Sequence, residues 1–161
     1  MSAAHILIVD DDTLTTQVLR QHFEHQGYRV STADGCEQAK THLRRPFKID
    51  LMILDYLMPD GSGTDLLQWM SREDPAQKPH VIMSSSWIDS SNPDWKTRLG
   101  RLPDLAQTLI QAYINKPFSF DNMDTVVQLV LGGTNAEGNP KEICSGDFKA
   151  PRRVAPRKTS K

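Results

Sequence analysis

The chain has 161 residues, enough for one ordinary domain with a single sizeable core. Hydrophobic residues make up 38% and charged residues 24%, which excludes a disordered chain, and no apolar run approaches the roughly 20 residues of a membrane helix. The net charge of −1 hides an asymmetry: six Lys/Arg and no acid follow Phe148, leaving 13 Lys/Arg against 20 Asp/Glu before it.

The first stretch, HILIVD (5–10), is a short apolar run that stops on three aspartates, Asp10, Asp11 and Asp12. It reads as a buried strand. Residues 13–27 follow, with Leu14, Val18, Leu19 and Phe23 at helical spacing and Gly27 at the helix end; Asp12 or Thr13 is the expected cap. YRVSTA (28–33) predicts a second strand, and CEQAKTHLRR (36–45) a helix stopped by Pro46. IDLMILD (49–55) is apolar on both faces, as a central strand of a covered parallel sheet is. YLMPDGSG (56–63) is a turn cluster, TDLLQWMSRED (64–74) a helix and HVIMSSS (80–86) a fourth strand.

Residues 87–112 are interrupted by Asn92-Pro93, with helical stretches at 94–102 and from Pro103 to Ala112. AYIN (112–115) predicts a short fifth strand before Lys116-Pro117, and residues 119–131 a last helix capped by Ser119 or Asp121. Residues 133–161 lose periodicity and carry three prolines, so they read as a mostly disordered tail, basic at its end. That tail is too short and unstructured for a DNA-binding output domain, and a solvated end is the simpler reading of it. Strands alternating with helices five times imply an α/β fold: a doubly wound, five-stranded parallel sheet of order 2-1-3-4-5, flavodoxin-like. Ligands of such sheets sit beyond the C-terminal strand ends.

Those ends carry the chemistry. Strand 1 delivers Asp10, Asp11 and Asp12, strand 3 Asp55, strand 4 Ser84 to Ser86 and strand 5 Lys116. Carboxylates from two neighbouring strands make an oxygen-rich site for a hard divalent cation, with Mg2+ favoured and Mn2+ an alternative. A hydroxyl and an ammonium opposite would bind phosphoryl oxygens, and Asp55 is the candidate nucleophile.

ILIVDDD, LMILDYLMPDGSG, VIMSSS and YINKPF together resemble the receiver domain of two-component response regulators, of the chemotaxis-type single-domain kind. The resemblance covers roughly residues 5–132, and the receiver domain is set at 4–132. It implies Asp55 as phosphoacceptor, with Asp11, Asp55 and the Leu57 carbonyl ligating the metal and Asp10 helping through water. It implies that Lys116 neutralises phosphoryl charge, that the switch hydroxyl is Ser85 with Ser84 as the competing register, and that Tyr113 is the switch aromatic. A cis bond before Pro117 also follows from it. The implied partners are a sensor histidine kinase or phosphotransfer protein and an unknown downstream protein, with a homodimer also allowed. The setting is cytoplasmic: no basic-then-apolar leader is read at the N-terminus, and Cys36 and Cys144 form no CxxC.

Simpler readings exist for single residues. An isolated acidic triplet caps a helix, a lone lysine is surface, and Tyr113 packs. His22 and His25 read as a solvated face, Cys36 as a helix-start residue, and Trp69 as packing or surface. Two features depart from the family pattern. Ser85 to Lys116 spans 31 positions, an enlarged connection across 87–112. Leu57 and Trp87 stand at the positions that tune phosphoryl lifetime, and both are apolar, which would exclude attacking water. Two rival functions are a haloacid-dehalogenase-type Mg2+ phosphohydrolase, suggested by DDDTL, and a receiver-like scaffold that takes no phosphate. The phosphohydrolase lacks a place for Asp55 followed by MPDGSG, and the scaffold does not need the Asp/Asp/Ser/Lys set. The chain reads as a switch, not a turnover enzyme.

Overall fold

The computed structural model describes residues 2–86 and 94–132. Trp87, Asn92-Pro93, Cys144 and the tail at 133–161 lie outside the described residues. Five strands form one parallel sheet: β1 (His5–Val9), β2 (Arg29–Ala33), β3 (Leu51–Asp55), β6 (His80–Ser85) and β7 (Ile110–Asn115). Their order is β2-β1-β3-β6-β7, the 2-1-3-4-5 order of a doubly wound sheet. The helices are α1 (Thr13–His25), α2 (Cys36–Leu43), α3 (Gly63–Glu73), α4 (Asp94–Gly100), α5 (Asp104–Leu109) and α6 (Phe120–Leu131). No helix among the described residues is long and apolar enough to cross a membrane.

Strand alternation splits the core into two. Ile6, Ile8, Ile53, Ile82 and Ile114 pack beneath α1 and α6, against Leu19, Phe23 and Met123. Leu7, Val9, Leu54 and Met83 pack on the other face with Leu43, Leu66 and Ala106 from α2, α3 and α5. Because both faces are covered, β1 and β3 are buried along their whole length.

Local chemistry sets the ends. Asp12 caps α1 by accepting from the Leu14 N–H at 3.0 Å. Gly27 follows the helix at φ 91, a conformation that glycine adopts without strain. Ser119 caps α6 through the Asn122 N–H at 3.1 Å. The α2 N-cap, Gly35, has no side chain, and Asp60 serves instead: its carboxylate accepts from Cys36 N at 2.9 Å and Glu37 N at 3.0 Å. Asp60 lies in a hairpin that the sequence showed only as a turn, formed by β4 (Leu57–Met58) and β5 (Gly61–Ser62).

Three readings are corrected. The third strand starts at Leu51 rather than Ile49, because the Ile49 N–H is taken by the Gln77 side chain at 3.1 Å. The fifth strand starts at Ile110 rather than Ala112, and α5 stops at Leu109. Ile110 pairs with Val81, and a register shift then restores pairing of Ala112 with Ile82, so sheet pairing overrides helix pattern here. His22 is half-buried rather than fully solvated: its ring bonds Asp124 of α6 at 2.6 Å and stacks on Phe120.

Candidate functional site

The C-terminal ends of β1, β3, β6 and β7 converge on one cluster. Asp10 follows β1, and its backbone N–H bonds the Ala33 carbonyl at the end of β2. Its carboxylate accepts from the Asp12 N–H at 2.9 Å, which turns the chain into α1 and leaves Asp11 exposed. Asp12 serves as the helix cap instead: the Thr15 hydroxyl and the Leu14 N–H hold its carboxyl below the usual range. The acidic triplet thus divides into two cluster residues and one cap.

Asp55 ends β3 and is 8% exposed. The Tyr56 N–H donates to its Oδ1 at 2.8 Å. Gly63 packs under its backbone: a Cβ there would meet the Asp55 carbonyl oxygen at 2.6 Å. Burial raises the Asp55 carboxyl to about 6; Lys116 opposes this, and neighbouring Asp10 adds to it.

Lys116 closes the cluster. Its Nζ lies 2.5 Å from Asp10 Oδ2 and 3.5 Å from Asp55 Oδ1. Burial works to lower its pKa, but the hydrogen bond to Asp10 and the Asp55 charge outweigh that and raise it. The next bond, Lys116–Pro117, is cis.

Asp10, Asp11 and Asp55 can each bring one oxygen within 4.8 Å of the others. Three hard oxygen donors against one ammonium fit Mg2+ or Mn2+. The Leu57 side chain, in β4, is 56% exposed beside this cluster in sequence.

The two candidate serines fall on opposite faces. Ser84 pairs with Asp55 and Ser85 with Asn115. Both serines are 3% exposed. Tyr113 pairs with Met83, two residues before Ser85, so alternation puts Tyr113 and Ser85 on one side of the sheet. Burial pushes the Tyr113 phenol up to about 12.

Sequence reading missed Asp60 and Gly63. Their signal was present in DGSG, but only the fold shows which neighbours those residues meet. Trp87 lies outside the described residues.

The model of the response regulator receiver domain matches residues 6–128. The chain belongs to that family. Among its relatives is response regulator SaeR of Staphylococcus aureus (strain N315), 36% identical over 69 residues. That match covers 43% of this receiver and 29% of SaeR, so it spans less than a third of the relative's length. A CheY-like receiver domain protein from Methanospirillum hungatei JF-1 superposes with a TM-score of 0.61 at 26% identity, over 80% of this chain and 94% of that one. A two-component response regulator from Clostridium difficile gives 0.66 at 20% identity, over 80% and 96%. TrrA from Thermotoga maritima, solved in complex with Mg2+ and BeF, gives 0.59 at 23% identity, over 80% and 99%. This receiver is a module of two-component signalling, and receivers as a class act as signalling domains.

Proposed function

We propose that this receiver, residues 4–132, takes a phosphoryl group on Asp55 from a sensor histidine kinase or phosphotransfer protein and thereby changes its contacts with a downstream protein. The observation that carries the reading is the convergence of Asp10, Asp11, Asp55 and Lys116, from three strands, at the C-terminal end of the sheet.

A carboxylate oxygen of Asp55 attacks phosphorus. A new P–O bond forms while the donor's P–N or P–O bond breaks, and the leaving group departs with the electron pair. Asp11 and Asp55 with the Leu57 carbonyl would hold Mg2+, or Mn2+, with Asp10 beside it, and a bound ion would supply positive charge against the phosphoryl oxygens. Lys116 already sits against Asp55 and supplies the second positive charge. Ser85 donates to a phosphoryl oxygen, and Tyr113, on the same side of the sheet, follows its shift. Leu57 and Trp87 limit the access of attacking water. The setting that suits such a partner is the cytoplasm.

The test is treatment with Mg2+ and acetyl phosphate of wild type, Asp55→Asn and Asp10→Asn. Modification of wild type that is lost in Asp55→Asn supports the reading. Turnover that survives Asp55→Asn but is lost in Asp10→Asn points to a phosphohydrolase. No modification of wild type points to a scaffold.

A further inference from the structure

Among the described residues, the Ser84 hydroxyl is buried and has no hydrogen-bond partner. A buried donor left unmade weakens a fold and needs a reason. Its place in the sheet supplies one. Ser84 on β6 pairs with Asp55 on β3. Paired residues of parallel strands project to the same face. The preceding residues set the phase: Ile53 and Ile82 lie in the core under α1 and α6, while Leu54 and Met83 lie in the other. Asp55 and Ser84 continue the first set. Ser85 continues the second, toward Tyr113.

The Asp55 side is also where the charges gather. Asp10 follows Ile8, and Lys116 follows Ile114, each by the two-residue step of a strand. In the unmodified protein Asp55 Oδ1 is engaged by the Tyr56 N–H and lies near Lys116. A phosphoryl group adds three acceptor oxygens to this side chain.

We propose that Ser84 is a second hydroxyl of the pocket, separate from Ser85, whose Oγ–H donates to an oxygen of the phosphorylated Asp55 side chain and stabilises that state. This rests on Asp55 being the phosphoacceptor. Both serines then meet the phosphoryl group: Ser84 from the face it shares with Asp55, and Ser85, at the end of β6, from the side it shares with Tyr113. The hydroxyl lacks a partner because its acceptor arrives only with the phosphoryl group.

The experiment measures beryllofluoride binding with Mg2+ by 19F NMR for wild type, Ser84→Ala and Ser84→Thr, with thermal unfolding of each unmodified protein alongside. Ser84→Ala should unfold no earlier than wild type, because it loses a buried unpaired donor, yet bind beryllofluoride about tenfold more weakly. Ser84→Thr keeps the hydroxyl and should bind close to wild type. Ser84→Ala binding as tightly as wild type would overturn the inference and leave the hydroxyl a packing defect. Equal weakening in Ser84→Thr and Ser84→Ala would overturn it too, since loss would not track the hydroxyl. Wild type that binds no beryllofluoride would instead overturn the phosphoacceptor reading, and this inference with it.

Discussion

Lys116 and Asp10 stand 106 positions apart in the chain and 2.5 Å apart in the fold. Their strands are not neighbours: β3 and β6 lie between them. The lysine therefore reaches back across two strand ends, and its ammonium is the cation that the cluster of carboxylates meets in the protein itself.

Removing that ammonium leaves Asp10 and Asp55 buried with no ion-pair partner among the described residues. Breaking a fully buried pair is strongly destabilising, but the Lys116 side chain is 22% exposed, which weakens the effect. Lys116→Met should lower metal-free stability by about 1–3 kcal/mol in urea unfolding. Saturating Mg2+ should recover much of the loss by returning a cation to the site. An unchanged urea midpoint without metal would show that the contact adds nothing.

Asp55 carries a raised pKa, about 6, so its folded form holds a proton that the unfolded chain has already released. Between the ordinary carboxylate pKa and about 6, the native state binds more protons than the unfolded one. Metal-free stability from this group therefore falls as pH rises through that window and stays low above it. Asp55→Asn should remove the slope and stabilise the metal-free protein at pH 8 by on the order of 2 kcal/mol. Mg2+ competes with the same proton, so its affinity should weaken as pH drops below about 6. Metal-free urea unfolding of wild type and Asp55→Asn across that pH range checks the first point, and Mg2+ titrations check the second.

Gly63 touches the acceptor's backbone rather than a flexible side chain, so a methyl group there cannot be absorbed cheaply. Gly63→Ala should cost about 1–3 kcal/mol and slow phosphorylation by acetyl phosphate, since Asp55 must shift. Gly100→Ala is the control: nothing lies within 4 Å of its added Cβ, and its stability should be unchanged or raised.

Leu57 is an exposed apolar side chain two residues beyond Asp55. If it screens the acyl phosphate from water, Leu57→Asn should speed phosphate loss roughly fivefold, equivalent to about 1 kcal/mol of barrier. The decay of phosphorylated protein after donor removal measures this. A rate equal to wild type would reject the screening role.

Much of the fold was legible because the signals were strong and local. The β1 and β3 runs are apolar without interruption, as both faces are covered. Asp10 and Asp55 were legible because each ends such a run, and Lys116 because it follows the short strand read at 112–115. What escaped was set by partners distant in sequence. Ile110 looked helical until Val81 claimed it. His22 looked solvated because Asp124, 102 positions later, could not be placed against it from helical spacing alone. The division between Ser84 and Ser85 needed the sheet register, which three consecutive serines do not disclose.

The Asp60 cap ties two segments that chain order keeps separate. The hairpin after Asp55 cannot change shape without releasing the first two amides of α2. Those amides, Cys36 and Glu37, thus act as a remote gauge of the acceptor loop. Their hydrogen-exchange rates would register a rearrangement beside Asp55 without any probe placed in the pocket.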